Sequence, residues 1–391
     1  MLPRVGAQAQ AGGAKQSYNN GIPAAFVPKG WKDTGSAALD FSFDLDLWGK
    51  NRANLRAATS DADAAAIDVA QARLLLATNI ASAYADLARL FAERDVQADA
   101  VASRVETQKL VADRVAVGLD TRAELKQADA AVPAERTQLS QIDESIALTR
   151  NRLAALIGKG PDRGLSIQRP TLSFAARSVP ADVTTDLIGR RPDIVSARAR
   201  VEASAARIKA ARADFYPSVS LTALVGFQSL GLSNLFVSGS HNGQAAAAVS
   251  LPIFHGGEIR GKYRVARASY DEAVGSYDGA VATAFHDVAD AVTSQSMLGE
   301  QLAQSRQSLA DAREAYAVAK LRYQGGLSNY LAVLTAQNSM LQQQRVVVDL
   351  EARAFTLDVA LVRALGGGAV AASPSPVSAA AGAVSKDKIH G

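Results

Sequence analysis

Residues 114–121 read RVAVGLDT and residues 322–329 read RYQGGLSN, and both stretches interrupt long Ala-rich segments with helical periodicity. A glycine that ends a helix can take the left-handed backbone conformation without steric cost. Gly118 and Gly326 therefore predict the ends of two long helices, each followed at once by a return helix. The sequence thus predicts two antiparallel helical hairpins with these glycines at their tips.

The residues after each glycine predict how the return helices begin. Thr121 and Glu124 have the spacing of a capping box, in which the glutamate accepts a hydrogen bond from the backbone of the cap residue. In the second stretch, Ser328 or Asn329 can cap the helix. Glu124 thus has a structural interpretation, and it is also the acidic residue of the first tip.

The two stretches belong to an internal repeat with an offset of 208 residues. At the same offset, LAALIGKG (153–160) matches LVRALGGG (361–368). Upstream, DLDLWGKNR (44–52) matches SLPIFHGGEIR (250–260) with a small slip. Each unit therefore reads as strand, loop, strand, long helix, bend and shorter helix.

This repeat divides the chain into four segments. Residues 1–160 form repeat 1, in which the helix that precedes the first strand of repeat 2 is missing. Residues 161–185 contain three prolines and predict a linker, and residues 186–368 form repeat 2, with its first helix over 186–213. The low-complexity tail 369–391 predicts disorder.

The long helices are predicted over residues 50–116 and 258–323. From Tyr277 to Tyr323, apolar or Ala residues recur at alternating steps of four and three, with Gln295 and Ser305 as the exceptions. This heptad pattern is typical of helices packed as in coiled coils. At 1.5 Å per residue, each helix would reach roughly 100 Å, which predicts an elongated molecule.

Four further segments alternate apolar residues with small or polar ones: 5–11, 41–47, 219–227 and 247–253. Their lengths suit tilted membrane-crossing strands, although a sheet with one wet face shows the same alternation. The polar segments 12–36 and 228–244 predict loops. The candidates for lipid-facing positions are Phe41, Phe43, Val219, Leu221, Val249 and Leu251.

Composition argues against several functional classes. The chain has no Cys, its four His residues are scattered, and it carries no phosphate-binding loop, nucleophile elbow or zinc-protease motif. We therefore expect no enzymatic activity, no metal site and no cofactor. The net charge of +4 is spread along helices and does not form a basic patch, which predicts no nucleic-acid partner. The sequence contains no run of 18 apolar residues, so we expect no transmembrane helix.

The chain resembles the outer-membrane factor family of TolC-like channels, and within it the NodT/OprM branch of lipoproteins. The most specific match is LIGRRPDIVSARARVEASAARIKAARADFYPSVSLTA (187–223). DLDLWGK (44–50) and LPIFHGG (251–257) match the strand-to-helix junctions of the family. RYQGGLSNYLAVLTAQ (322–337) and the terminal ALGGG (364–368) match its second tip and last helix end.

The resemblance implies an α+β fold in which three copies build an α-helical barrel and share one 12-stranded outer-membrane β-barrel. It implies an outer-membrane location in a Gram-negative bacterium, a periplasmic helical domain, and an adaptor and an inner-membrane pump as partners. Transport through such a duct is passive. The transported substrate, whether drug, metal ion or protein, stays open, although only three Met residues give no support to a route for soft metals.

In the family, the tunnel narrows at the helical tips, often through acidic residues and a Tyr–Arg–Asp linkage. Tyr323 matches the family tyrosine, and Glu124 falls at an acidic position. The second tip has Ser328, Ala332 and Thr335 where relatives often carry Arg or acids, so we expect an incomplete linkage. The gate candidates are Glu124, Tyr323, Gly118 and Gly326.

Two further expectations concern the start of the sequence and an alternative function. The family's signal peptide, lipid-carrying Cys and first helix have no counterpart before Met1, which predicts an N-terminally truncated sequence. The alternative function is a periplasmic adaptor or coiled-coil scaffold, which would also use helical hairpins. Such adaptors carry a lipoyl-like β-domain between their helices, and no segment here reads as one.

Overall fold

The computed structural model describes residues 2–171 and 189–367, apart from residues 18, 20 and 22. Two compact units arise, which we call the sheet unit (residues 1–66 and 196–279) and the hairpin unit (67–195 and 280–391). The strands and helices follow in the order β1 (Arg4–Lys15), β2 (Trp31–Leu45), α1 (Lys50–Ala116), α2 (Arg122–Leu156), α3 (Pro161–Leu165), α4 (Pro192–Ala213), β3 (Ser218–Leu230), β4 (His241–Ser250), α5 (Glu258–Gln324) and α6 (Tyr330–Ala364).

The predicted fold class, long helical hairpins with four antiparallel strands, is confirmed. Helices α1 and α5 have 67 residues each, and α2 and α6 have 35 each. The predicted bounds of the two long helices agree with these to within one residue. The equal lengths at the 208-residue offset show that both halves of the sequence fold as the same hairpin.

The heptad pattern of α5 corresponds to its buried face within the hairpin unit. The polar exceptions Gln295 and Ser305 are buried together with the apolar residues of the pattern. Gln295 donates a hydrogen bond from Nε2 to Asp358 Oδ1 of α6, at 2.9 Å. The buried positions are Ala284, Val288, Ala291, Gln295, Leu298, Leu302, Ser305, Leu309 and Tyr323.

The four strands form one antiparallel sheet in the order β1-β2-β3-β4. Its register places residues of odd number opposite residues of odd number in every pair, for example Phe43 opposite Leu221 and Val219 opposite Val249. Because directly paired residues point to the same side of a sheet, one face is apolar and the other polar. Five of the six lipid-facing candidates share the apolar face: Phe41, Phe43, Val219, Leu221 and Val249.

Leu251, the sixth candidate, lies beyond the end of β4, so its prediction as a strand residue is wrong. Strand β4 stops at Ser250. Pro252 has no backbone N–H to donate, so the hydrogen-bonded ladder does not continue through it. The alternation of side chains, which runs to Ile253, extends three residues beyond the backbone pairing of β4.

The predicted loops were too long. The structure pairs Gly12 with Thr34 and Gly13 with Asp33, so β1 and β2 extend into the segment assigned to a loop. The N–H of Gly231 donates to Asp33 O at 2.6 Å, and the N–H of Leu232 donates to Asp33 Oδ2 at 2.7 Å. Backbone pairing and the Asp33 side chain hold this end of the sheet, where the side chains show no apolar alternation.

The RRPD sequence organises one end of the hairpin unit. Pro192 is the first residue of α4, which starts there and not at residue 186. The buried guanidinium of Arg191 forms ion pairs with Asp193 at 2.8 Å and with Asp287 at 3.1 Å. It also donates to the carbonyl oxygen of Ala364, at 3.1 Å, in the last turn of α6. One side chain therefore joins the start of α4 to α5 and α6.

Parts of the predicted organisation fall outside the described residues. Of the predicted linker, residues 161–171 are described, and they begin with α3. The rest of the linker, residues 186–188 and the predicted tail 369–391 are not described. Among the described residues, none of the helices is long and apolar enough to cross a membrane.

Replacing Arg191 with alanine tests this junction. The change would leave Asp193 and Asp287 without their common cation and the Ala364 carbonyl without its donor. We expect a loss of about 2–3 kcal/mol of stability, the scale of buried hydrogen bonds to charged groups. The thermal unfolding midpoint, followed by circular dichroism in detergent, is the measurement. Arg198→Ala is the control, because that side chain is 72% exposed, and an equal effect of both changes would contradict the assignment.

Candidate functional site

The hairpin tips have the backbone geometry that the glycines predicted. Gly118 and Gly326 have φ angles of 78° and 75°. The N–H of Leu119 donates to Arg114 O at 2.9 Å, and the N–H of Leu327 donates to Arg322 O at 2.7 Å. These bonds satisfy carbonyl groups of the last helical turn. A Cβ atom at either glycine would meet nothing within 4 Å, so backbone conformation, and not packing, selects glycine.

Both return helices begin with a side-chain cap. The Thr121 N–H donates to Glu124 Oε2 at 2.7 Å, which confirms the predicted use of Glu124 in a capping box. In the second hairpin, Asn329 Oδ1 accepts a hydrogen bond from the Ala332 N–H at 3.1 Å. Asn329, and not Ser328, is therefore the cap of α6.

Tyr323 lies at the centre of a polar cluster that joins the two hairpins. Its side chain is fully buried, and its hydroxyl donates a hydrogen bond to Asp120 Oδ2. Arg114 Nε lies 2.9 Å from the same carboxylate oxygen, and Arg114 Nη1 donates to Tyr323 O at 2.9 Å. The guanidinium also lies 4.5 Å from the centre of the tyrosine ring. We call Arg114, Asp120 and Tyr323 the tip cluster.

The electrostatics keep each member of the tip cluster in one protonation state. Burial raises the pKa of Asp120, but the hydrogen bonds from Arg114 and Tyr323 outweigh it, so this pKa is lowered. Burial raises the pKa of Tyr323, and its hydrogen bond to Asp120 adds to this effect. The hydrogen bond to Asp120 also raises the pKa of Arg114, against the effect of burial.

The lowered pKa of Asp120 determines the pH range in which this residue stabilises the protein. A carboxylate whose pKa is lowered in the folded protein stabilises the fold at pH values above its ordinary pKa of about 4. This stabilisation is lost as the pH falls through the lowered pKa of the folded state. The tip cluster therefore keeps its charges at neutral and mildly acidic pH.

Apolar side chains surround the tip cluster. Tyr330 and Val333 of α6 are buried next to Tyr323, and Val111 and Ala128 of the first hairpin complete the contact. The rings of Tyr323 and Tyr330 lie 6.2 Å apart. This packing keeps water from the ion pair, which strengthens its electrostatic interactions.

A second polar layer lies further from the tips along the same helices. Arg104 of α1 is 5% exposed and donates to the side-chain oxygens of Gln337 and Asn338 on α6. Gln337 Nε2 donates to Ser103 Oγ at 2.7 Å, and Arg104 Nε lies 3.4 Å from Glu135 Oε1 of α2. This layer therefore also connects both hairpins through a buried cation.

The sequence predicted part of this site. Tyr323 and the two glycines lie at the tips as expected, but the expectation of an incomplete Tyr–Arg–Asp linkage was wrong. The partners of Tyr323 are Asp120 and Arg114, which lie on the first hairpin, whereas the expectation considered only positions of the second tip. The stretch RVAVGLDT contained both residues, and their spacing around the bend was the available signal.

The described residues include no group of three or more His, Asp or Glu side chains that could hold a metal ion. The side chains of the tip cluster contact one another and, within the described part of the chain, present no set of converging free ligands. The arrangement can hold helices together or release them, which is a mechanical role.

Comparisons with known proteins agree with this architecture. The family model described as outer membrane efflux protein matches residues 1–159 and 183–367. The fusaric acid resistance protein FusA of Burkholderia cepacia is 38% identical over 241 residues, which are 61% of this chain and 45% of that protein. The probable efflux pump outer membrane protein SepC of Pseudomonas putida is 32% identical over 382 residues, or 97% of this chain and 78% of that protein.

A solved structure extends the likeness to three dimensions. The crystal structure of the outer membrane protein VceC from Vibrio cholerae superposes with a TM-score of 0.88 at 43% sequence identity. The superposition covers 94% of this chain and 87% of that one. With the family match over nearly the whole chain, this shows that the protein belongs to the outer membrane efflux protein family and is an outer-membrane exit duct with a periplasmic helical domain.

Proposed function

We propose that three copies of this chain form the exit duct of a tripartite pump for small organic molecules, and that the tip cluster holds its periplasmic mouth closed at rest. The partners are a periplasmic adaptor and an inner-membrane pump. The tip cluster is the observation that carries the proposal, because its buried ion pair joins the two hairpins at their bends.

The sheet supports the membrane part of the proposal. One face is apolar, and the two outer strands β1 and β4 have open edges within the chain. Unpaired backbone groups are not tolerated in the hydrocarbon of a bilayer. Three copies would pair these edges and close a 12-stranded barrel with its apolar face toward lipid. Ser42, Asp44 and Ser220, on the opposite face, would then line the lumen.

Aromatic residues where the sheet joins the helices fit a membrane interface. Trp48 stacks on Tyr216 with ring centres 4.6 Å apart, and Trp48 Nε1 donates to Pro217 O at 2.8 Å. Phe215 contacts Tyr263 edge to face. Trp and Tyr are enriched at the headgroup level of bilayers, where one side of the ring is apolar and the other hydrated.

The chemistry of the tip supports a role in closure. A buried pair of charges loses several kcal/mol when one partner is removed, because the remaining charge stays desolvated. Moving the hairpins apart would instead hydrate both charges, so the closed and open states can differ by little free energy. Contact with an adaptor could therefore shift the balance between them.

The substrate class is inferred from relatives and composition. Relatives are named for resistance to fusaric acid and for efflux of toluene. The duct itself needs only a water-filled path. The chain has three Met residues in all, too few for a methionine-lined route for soft metals. Small organic molecules therefore fit better than metal ions.

Removing parts of the tip cluster tests the gate. Tyr323→Phe deletes one hydrogen bond and keeps the ring, whereas Asp120→Asn deletes the counter-charge of Arg114. Single-channel recordings in planar bilayers should show an open fraction raised several-fold by the first change and by about tenfold or more by the second. Between pH 8 and pH 5, the wild-type open fraction should stay constant.

Tyr84→Phe is the matched control, because Tyr84 is on α1, outside the tip cluster, and is 36% exposed. An open fraction that none of these changes alters would show that the tip cluster has no gating role. Absence of any conductance in the wild-type protein and in both tip-cluster variants would instead contradict the duct itself.

Substitutions of Glu124 distinguish a role in helix capping from a role in gating. Gln keeps the capping-box hydrogen bond but removes the charge, whereas Ala removes both. If Glu124 only caps α2, Glu124→Gln should preserve the thermal unfolding midpoint and the conductance, and Glu124→Ala should lower stability by about 1 kcal/mol. If three copies of Glu124 also line the mouth, Glu124→Gln should change conductance and cation preference while stability holds.

Adjacent strand positions test the direction of the sheet faces. Leu221→Arg should lower the amount of folded protein in the outer membrane, since a charge on the lipid face near the midplane costs about 2–4 kcal/mol. Ser220→Arg, one residue away on the opposite face, should be much better tolerated. Equal yields of the two variants would argue against membrane insertion in this orientation.

A further inference from the structure

The strand ends that lie away from the helices form the outer end of the sheet, because the helical domain is periplasmic. Strand β2 runs from Trp31 to Leu45, and at about 3.3 Å per residue and a tilt of about 40° it rises roughly 35 Å along a barrel axis. The apolar band of such barrels is only about 25 Å tall. With Trp48 and Tyr216 at the inner interface, Trp31 reaches the level of the outer headgroups.

Trp31 and Lys15 are paired across β2 and β1 at this end of the sheet. Both have odd numbers, so the register places them on the same face as Phe41 and Val219. Trp31 is 75% exposed, and its ring passes close to Gly13, where an added Cβ would lie 3.7 Å from the Cε3 atom of the ring. The outer margin of the apolar face therefore presents an exposed tryptophan with a lysine as its cross-strand neighbour.

The loop between β3 and β4 folds onto this same face. Gly35, which belongs to the face by its odd number, is buried, and an added Cβ there would lie 2.9 Å from Leu232 Cδ2 and 3.2 Å from Leu235 Cδ2. Gly35 thus leaves room for two leucines of the loop. The ring of Phe236 packs edge to face on Phe227, with centres 5.5 Å apart, yet Phe236 is 73% exposed. The loop therefore adds exposed apolar surface to the apolar side of the sheet.

Positive charge is concentrated at the outer end of the sheet. Residues 12–36 contain three lysines and one acidic residue, Asp33, and residues 228–244 contain no acidic residue. The Asp33 carboxylate is already engaged, since it accepts a hydrogen bond from the Leu232 N–H at 2.7 Å. All three lysines are exposed. We define the outer rim as the three lysines together with the exposed tryptophan: Lys15, Lys29, Lys32 and Trp31.

We infer that the outer rim binds the phosphate groups of a phosphorylated glycolipid of the outer leaflet, and that the acyl chains of this lipid lie against Phe236 and the apolar face. Tryptophan is enriched at the headgroup level of membranes. Lysines next to a membrane surface attract anionic headgroups. The inference rests on the proposed function for one point, namely that the apolar face of the sheet points toward lipid.

A neighbouring copy of the chain offers the outer rim no counter-charge. In the proposed barrel, β1 of one copy pairs with β4 of the next, which brings residues 228–244 of that copy toward Lys15. Because this segment contains no acidic residue, it supplies no carboxylate to the lysines. Lipid phosphates at the headgroup level supply the missing negative charge, and acyl chains cover the exposed ring of Phe236. A phosphorylated lipid therefore complements both the charge and the apolar surface of this end.

Photo-cross-linking in outer membranes identifies what covers this surface. Phe236→p-benzoylphenylalanine places a photoreactive group on the exposed loop, and irradiation should give a product that an antibody against lipopolysaccharide recognises. Trp48→p-benzoylphenylalanine is the matched control at the inner end of the sheet. It should give no such product, because this glycolipid occupies the outer leaflet. A product of the Phe236 variant that contains a second copy or another protein in place of the glycolipid would overturn the inference.

Native mass spectrometry of the purified protein in detergent tests the role of the phosphates. The probes are bisphosphorylated lipid A and the same lipid after removal of both phosphates. The wild-type protein should bind the phosphorylated form at least tenfold more tightly, since each lysine near an anionic headgroup contributes about fivefold in affinity. The triple variant Lys15→Gln, Lys29→Gln and Lys32→Gln should bind both forms alike. Lys50→Gln with Lys262→Gln, at the inner end, is the control that should keep the preference.

Three results of this titration would contradict the site: equal binding of both lipid forms by the wild-type protein, an unchanged preference in the triple lysine variant, or equally tight binding of phosphatidylglycerol at the same phosphate concentration. Lipid binding in detergent does not depend on transport. A protein that prefers the phosphorylated lipid but conducts no ions would contradict the proposed function and leave the outer rim standing. A conducting protein without this preference would contradict the outer rim alone.

Discussion

The carboxylate of Asp120 is the group on which the tip depends. It is nearly enclosed, at 6% side-chain exposure, and such a charge is stable only with a cation and hydrogen-bond donors at short range. Arg114 supplies the cation and Tyr323, 203 residues further along the chain, supplies the hydroxyl. The requirement of one buried carboxylate therefore fixes the first bend against the last turn of α5.

Buried charges with nearby hydrogen-bond partners also occur elsewhere in the hairpin unit. Arg104 brings a second buried charge into the helices, and Gln337, Asn338 and Glu135 complete its hydrogen bonds. Arg191 does so at another junction of the unit, with two aspartates and a helix-end carbonyl. Small residues let these helices approach closely, and the buried arginines give the otherwise uniform Ala-rich surfaces a defined register.

Much of this fold could be predicted from local rules. A glycine in the left-handed conformation is a common end of a helix, so Gly118 and Gly326 marked the tips of helices already predicted by their periodicity. The heptad steps identified even Gln295 as buried. Side-chain alternation assigned the apolar face of the sheet. It overestimated β4 at Leu251 and missed the strand ends near Gly12, because backbone pairing there follows hydrogen bonds and not side-chain polarity.

The site was harder to predict than the fold. Tyr323 was recognised, but its bond to Asp120 spans more than half of the chain, and no periodicity in the sequence encodes such a pairing. Arg104 was missed for a related reason. A single arginine among many in solvated helical patterns becomes significant only when three helices enclose it. The repeat was the only sequence signal that related distant positions. It relates equivalent residues of the two hairpins, and these do not contact each other as Tyr323 contacts Asp120.

Distances across the assembled mouth test the account most directly. A spin label at Leu119→Cys, an exposed bend residue in a chain without native cysteine, would report the separation of the copies by pulsed electron paramagnetic resonance. We expect one narrow distance distribution in the resting protein, and a shift to longer, broader distances when Asp120 is replaced by asparagine. Identical distributions with and without the Asp120 carboxylate would contradict the claim that the tip cluster holds the mouth closed.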